Sequence, residues 1–196
     1  KILPLKSIET CPYNSYQRKN IGYLYAISKG AEIIAETDDD NYPLSDWAKN
    51  IEFTPKKTKL VLEPKIFNVY TEFTKEKIWP RGFPLEFILE NKEKKITQIQ
   101  NPLVGIWQGL VNNEPDVDAI YRLTLNKTIN FSKNEPIVLS KGVFCPFNSQ
   151  NTIWKKEFFP YMYLPISVTF RMTDILRGYV AQRCLWEHES FLGFTG

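Results

Sequence analysis

The sequence predicts a mixed α/β fold, a sheet layered by helices, and three observations predict it. Short β-prone runs recur along the chain, among them AEIIAE, TKLVLE and KITQIQ. Two longer stretches, NSYQRKNIGYLYAISKG and TDILRGYVAQRCLWEHE, carry apolar residues at helical spacing. Proline and glycine punctuate the intervals, with no internal repeat, low-complexity segment or linker.

In the first helix Asn14 or Ser15 can cap the start. Ile21, Leu24, Tyr25 and Ser28 share a side, and Gly30 sits where a left-handed terminator belongs. AEIIAE follows as a strand, and its carboxyl end runs into Asp38, Asp39 and Asp40. Further strands are expected at TKLVLE, FNVYTEF, KITQIQ, LVGIWQGLV and PIVLSKGVF. Helices are expected at PLSDWAKNI, DVDAIYRL, NTIWKKEFF and TDILRGYVAQRCLWEHE.

With 196 residues, 43% of them apolar and 14% aromatic, the chain can bury a real core. The net charge is a modest +3, and the lysine-rich stretches TPKKTKLVLEPK and NKEKKI contain or adjoin acids. They read as solvated faces, which argues against a nucleic-acid partner. No apolar run approaches the ~20 residues of a membrane span, and KILPLKSIE lacks the layout of a signal peptide. Cys11, Cys145 and Cys184 are widely spaced, which favours free thiols and a cytoplasmic setting. Glycosylation sequons at Asn126 and Asn130 would matter only in a secretory compartment.

Several clusters carry chemistry-bearing side chains, and each has a plain structural alternative. Adjacent carboxylates such as Asp38 to Asp40 repel unless a cation or basic group neutralises them. Mg²⁺ and Mn²⁺ prefer such oxygens and often share their shell with phosphates; a polar turn explains the same residues. Their place beyond a strand's carboxyl end is where open α/β sheets bind ligands. In WPRGFP, Arg81 sits on a constrained loop and can grip a phosphate or carboxylate, or decorate a surface turn. Asp116 and Asp118 precede a helix they can simply cap. CPFNSQNTIW packs Asn148, Ser149, Gln150, Asn151 and Thr152 into one polar loop. On the last helix Asp174 can cap or act as a general base, with Gln182, Arg183 and Trp186 following. His188 is the only histidine, and no serine or cysteine stands beside a base, so nucleophilic hydrolase schemes have little support.

Taken together, YNSYQRKNIGYLYAISKGAEIIAETDDDN, WPRGFPLE, EPDVDAIYRLT, PFNSQNT and TDILRGYVAQRCLWE resemble the catalytic-type domain of the STELLO glycosyltransferase-like proteins. A weaker similarity reaches the reversibly glycosylated polypeptides, which act as UDP-arabinopyranose mutases. The resemblance implies a GT-A fold, a nucleotide-sugar donor (a UDP-sugar), a glycan or other hydroxyl acceptor, and Mn²⁺ or Mg²⁺ on an Asp-x-Asp type motif. By position, Asp38, Asp39 and Asp40 match the metal and diphosphate motif. Arg18, Lys19, Asn20, Arg81, Gly82, Asp116 and Asp118 match donor-side segments. Asn148, Ser149 and Asn151 match the polar loop, and Asp174, Arg177 and Arg183 the final helix, with Asp174 as the base.

Where such sequences run Asp-Ala-Asp-Asp-Arg, this chain has Glu36-Thr37-Asp38-Asp39-Asp40, which leaves open which aspartate meets a metal. The resemblance also implies an earlier strand, so residues 1–196 are expected to be one GT-A-like domain, incomplete at its N-terminus, and a Golgi setting competes with the cytoplasmic one. A UDP-sugar mutase and a non-catalytic binding or assembly module remain alternatives to the transferase.

Overall fold

The computed structural model describes residues 6–48, 51–90, 92–125 and 127–196. The start of KILPLKSIE, the Lys49 and Asn50 of the expected PLSDWAKNI helix, and the sequon at Asn126 lie outside the described residues.

Seven strands form one mixed sheet: β1 (Ile33–Thr37), β2 (Lys57–Glu63), β3 (Lys95–Gln100), β4 (Val104–Gly109), β5 (Ile137–Leu139), β6 (Asn151–Lys155) and β7 (Phe191–Thr195), in the order β1-β6-β4-β7-β5-β2-β3. Among the described strand pairs, β4 with β7 and β2 with β5 run parallel and the others antiparallel. The helices are α1 (Lys6–Thr10), α2 (Lys19–Ser28), α3 (Ala119–Thr124) and α4 (Thr173–Leu185). The mixed sheet layered by helices matches the expected fold class. Among the described residues no helix is long and apolar enough to cross a membrane.

The two sheet faces are covered differently. One face sends Ile34, Val61, Ile106, Leu139, Trp154 and Phe194 into the main core, which Ala181 and Leu185 of α4 complete. The other carries Val104, Trp107, Val138 and Ile153 under Ile51 and Phe53. Gly193 is needed there, because a Cβ would stand 2.4 Å from the Trp107 ring.

Helix α2 starts later than its pattern suggested, behind a 3-10 turn at Tyr16–Arg18. The Ser15 hydroxyl bonds the Gln17 side chain and caps no backbone donor. Gly30, at φ +80, ends the helix as expected, and the Ala31 amide closes back on the Ala26 carbonyl at 3.1 Å. Of the four residues that share a side, Ile21 and Leu24 are half-buried and Tyr25 and Ser28 face water, while Tyr23 is the buried residue of the helix. The reason is β1, whose Glu36 takes the Tyr23 hydroxyl.

Four further expectations are corrected. Residues 45–48 of PLSDWAKNI form turns rather than a helix. FNVYTEF is not a strand but a 3-10 turn at Val69–Glu72, because the Asn68 side chain takes the Tyr70 amide at 3.2 Å. PIVLSKGVF is a strand over Ile137–Leu139 alone, then turns at Gly142, φ +88, before Phe144 bridges to Ile66. NTIWKKEFF is β6 followed by a 3-10 helix at Lys156–Met162. Thr152, Ile153 and Trp154 are all buried, so this interior strand shows no alternation that would mark it as one. Strand β7, at the sheet centre, was expected nowhere for the same reason: its three middle residues are all buried.

Register then builds the site. Thr37 at the end of β1 pairs with Asn151 at the start of β6, and Gln108 near the end of β4 pairs with Thr152. Three chain segments thus turn at one rim: 38–41, 109–116 and 148–150.

Candidate functional site

A cavity opens at this rim, lined by Asp38, Asp116 and Asp174 with Arg81, Arg122 and Arg171. Tyr16, Glu114, Gln150 and Phe170 complete much of its wall.

Asp38 is held by Lys19, whose ammonium lies 2.8 Å from Oδ1 and also donates to the Tyr16 hydroxyl at 3.1 Å and the Ser149 carbonyl at 3.4 Å. Those contacts match the three donors an ammonium has. The Tyr16 hydroxyl touches the Ser149 hydroxyl and reaches Asp38 Oδ1 at 3.3 Å. Burial, with Asp38 adding to it, pushes the Tyr16 hydroxyl well above its ordinary range, so it stays protonated. Tyr16 and Lys19 stand three residues apart, one helical turn, which is the local signal that could have picked out Tyr16. The Asp38 amide bonds the Gln150 carbonyl at 3.4 Å, so the aspartate turn is tied to the polar loop. Asp39 and Asp40 are exposed, and neither lines the cavity.

Arg81 is the centre of the site. Its Nε and Nη2 grip Asp116 at 2.8 and 2.7 Å, and Nη2 and Nη1 grip Asp174 at 2.8 and 3.1 Å. Nη1 also donates to the Arg171 carbonyl. A guanidinium has five N–H donors, and these contacts occupy them all. Burial opposes the Arg81 charge, but the hydrogen bonds to Asp116 and Asp174 outweigh it and hold the proton more tightly than usual. Asp174 Oδ1 additionally accepts the Ile175 amide at 3.0 Å, and its side chain is only 4% exposed. Gly82, at φ +81, lets the loop lie against α4, where a Cβ would stand 2.5 Å from Ile175 Cγ2.

The polar loop is a scaffold for these groups. Asn148 Oδ1 accepts the Gln150 amide at 2.9 Å, and Gln150 Oε1 accepts the Asp116 amide at 3.2 Å. Gln108, which nothing in the sequence singled out, accepts from both the Asn148 amide and the Thr152 hydroxyl. Asn151 takes the Trp47 indole N–H at 3.0 Å.

The structure therefore gathers Lys19, Asp38, Arg81, Asp116, Ser149 and Asp174 and leaves other candidates elsewhere. Arg18 donates to the Cys11 carbonyl and stacks on Tyr13. Asn20 spends its amide on the Leu164 backbone, at 2.8 and 2.9 Å. Asp118 caps α3 by accepting the Ile120 amide at 2.8 Å. Arg183 is exposed and paired with Glu187. Arg177 is buried, paired with Glu36. Arg122, Phe170 and Arg171 line the cavity without having been expected there.

Among the described residues no three acidic, histidine or cysteine side chains converge as a metal cage. Asp38 nonetheless suits a divalent ion shared with a ligand: among the described residues its Oδ2 has no hydrogen-bond partner, it lines the cavity, and Mg²⁺ sites commonly use one or two carboxylates plus phosphate oxygens.

A mixed sheet with this acid-and-arginine cavity at its strand ends is consistent with a GT-A-like glycosyltransferase fold. No family model matches the chain. Two curated relatives from Arabidopsis thaliana do, each described as a probable glycosyltransferase: STELLO1 and STELLO2, both 34% identical over 204 aligned residues. The alignments cover 94% of this chain, and 26% and 27% of the relatives. This similarity supports a STELLO-type family for the chain, which spans about a quarter of the length of the curated relatives it matches.

Proposed function

We propose that this protein transfers a sugar from a nucleotide-diphosphate donor, a UDP-sugar, to an acceptor hydroxyl, with Mn²⁺ or Mg²⁺ held at Asp38. The observation that carries the reading is the joining of Asp38, Asp116 and Asp174 with three arginines around one cavity at the carboxyl end of β1. The relatives' description as probable glycosyltransferases supports it.

A bound divalent ion would neutralise charge on the departing diphosphate. Arg171 and Arg122 bring cationic groups to the same cavity, and Tyr16 and Phe170 offer ring faces at its wall, 5.4 Å apart edge to face. In an inverting transfer the bond from the anomeric carbon to the diphosphate breaks as the acceptor oxygen bonds that carbon. The acceptor proton passes to Asp174. For this Asp174 must release an oxygen from Arg81, and the double grip of Arg81 on Asp116 leaves that guanidinium held in place when it does.

A second reading, a non-catalytic binding module, is favoured by the hold of Arg81 on both oxygens of Asp174. Incubation with a UDP-sugar separates the readings: transfer releases UDP and needs an acceptor, a mutase rearranges the sugar with neither, and a binding module does nothing. The first test is melting with UDP, with and without Mn²⁺. The wild type should gain several degrees only with both, and Asp38→Asn should gain none. No gain in the wild type refutes the donor site.

A further inference from the structure

Glu36 lies in β1 two residues before Asp38, and Arg177 lies in α4 three residues after Asp174. Alternation along a strand puts Glu36 and Asp38 on one side of the sheet, and one helical turn puts Asp174 and Arg177 on adjoining positions. The side chains behind the cavity meet: Arg177 Nη1 stands 2.9 Å from Glu36 Oε1, with side-chain exposures of 1% and 2%. Trp154 Nε1 donates to the same carboxylate at 2.9 Å, and the Tyr23 hydroxyl donates to its other oxygen. The guanidinium lies over the Trp154 ring at 4.9 Å. Its Nε and Nη2 are buried and have no hydrogen-bond partner among the described residues.

A dry ion pair with idle donors is a poor source of stability, because desolvation offsets the attraction and an apolar pair of similar shape does as well or better. It does resist sliding. Two apolar side chains can shift past one another at little cost, whereas moving a buried guanidinium off its carboxylate exposes both charges to a low-dielectric core. We propose that Glu36 and Arg177 form the positioning strut of the site, fixing the first turn of α4, with Asp174, against the end of β1, with Asp38. The role of the strut in binding rests on the donor site proposed above; its mechanical role does not.

Two variants of the full chain test it. E36Q/R177M removes both charges and leaves an amide for Trp154 and Tyr23, while R177M alone strands the Glu36 carboxylate in the core. R177M should melt well below the wild type, and E36Q/R177M should recover to within about 5 °C of it. The double variant should still show faster amide exchange over 37–41 and 173–177, with β4 and β7 unchanged, and a Kd for UDP–Mn²⁺ raised about tenfold. Recovery of exchange and binding together with melting would overturn the strut, as would a double variant no more stable than R177M, which would make the pair an ordinary core contact. A wild type that binds no UDP–Mn²⁺, alongside the localised exchange change, would keep the strut and refute the donor reading.

Discussion

Arg81 and Arg177 each face carboxylates, within one site, and they solve opposite problems. Arg81 is 22% exposed at the cavity, with every donor committed to Asp116, Asp174 or the Arg171 carbonyl. Arg177 is sealed in the core with one carboxylate partner and two idle nitrogens. Burial works against the Arg177 charge, and the pull of Glu36 overrides it, so the proton is held more tightly than usual. The difference teaches where exchange is possible. At a solvated rim, water or a ligand oxygen can replace a carboxylate on Arg81 at modest cost; in the core nothing can replace Glu36. The first arginine suits a site that changes partners, the second a frame that does not.

The sharpest way to break that comparison is Arg81→Met. It leaves the largely buried Asp116 and Asp174 without their shared cation, and stability measured in urea should fall by about 2–4 kcal/mol. A variant as stable as the wild type would mean that the carboxylates do not depend on Arg81. Next comes Gly178→Ala on α4, where a Cβ would lie 2.6 Å from the Phe147 carbonyl oxygen. Backbone cannot give way as a side chain can, so α4 should be pushed from the polar loop at a cost of about 1–3 kcal/mol. Normal stability there would show that the frame is softer than the strut requires.

Asp174→Asn keeps the shape and removes one charge from the Arg81 clamp. Stability should drop by about 1–2 kcal/mol. Transfer activity should fall by ~10²-fold or more if this carboxylate takes the acceptor proton, and an undiminished rate would end that role. The smallest effect belongs to Arg183→Ala, since Arg183 and Glu187 are exposed partners on the surface of the last helix. Neither the melting temperature nor UDP–Mn²⁺ binding should change measurably. A clear loss of binding would extend the site to a face that the geometry leaves out.

Much of this was legible in the residue order. Helical spacing and Gly30 marked α2, and the apolar spacing of TDILRGYVAQRCL marked α4. The clusters around Asp38, Arg81, Asp116 and Asp174 were each visible, as was their order along the chain. Two of the failures fell where local pattern is uninformative. NTIWK and FLGFT are five-residue strands with buried centres, and nothing in so short an apolar run separates strand from helix. Asn20 illustrates the limit for function: a polar side chain on a helix gives no sign that the Leu164 backbone, 144 residues away, will claim both its polar atoms.

By itself, then, the sequence determined the element types with strong periodicity, the turn residues, and which charged groups exist to be assembled, because those depend on neighbours a few positions away. The tertiary structure alone decided which acid meets which base. Arg81 finds Asp116 across 35 residues and Asp174 across 93, while Glu36 retires into the core only because β1 lies beside β6, where Trp154 waits. Such pairings are set by sheet order and helix docking, which depend on burying the whole apolar surface at once, and no local stretch encodes them.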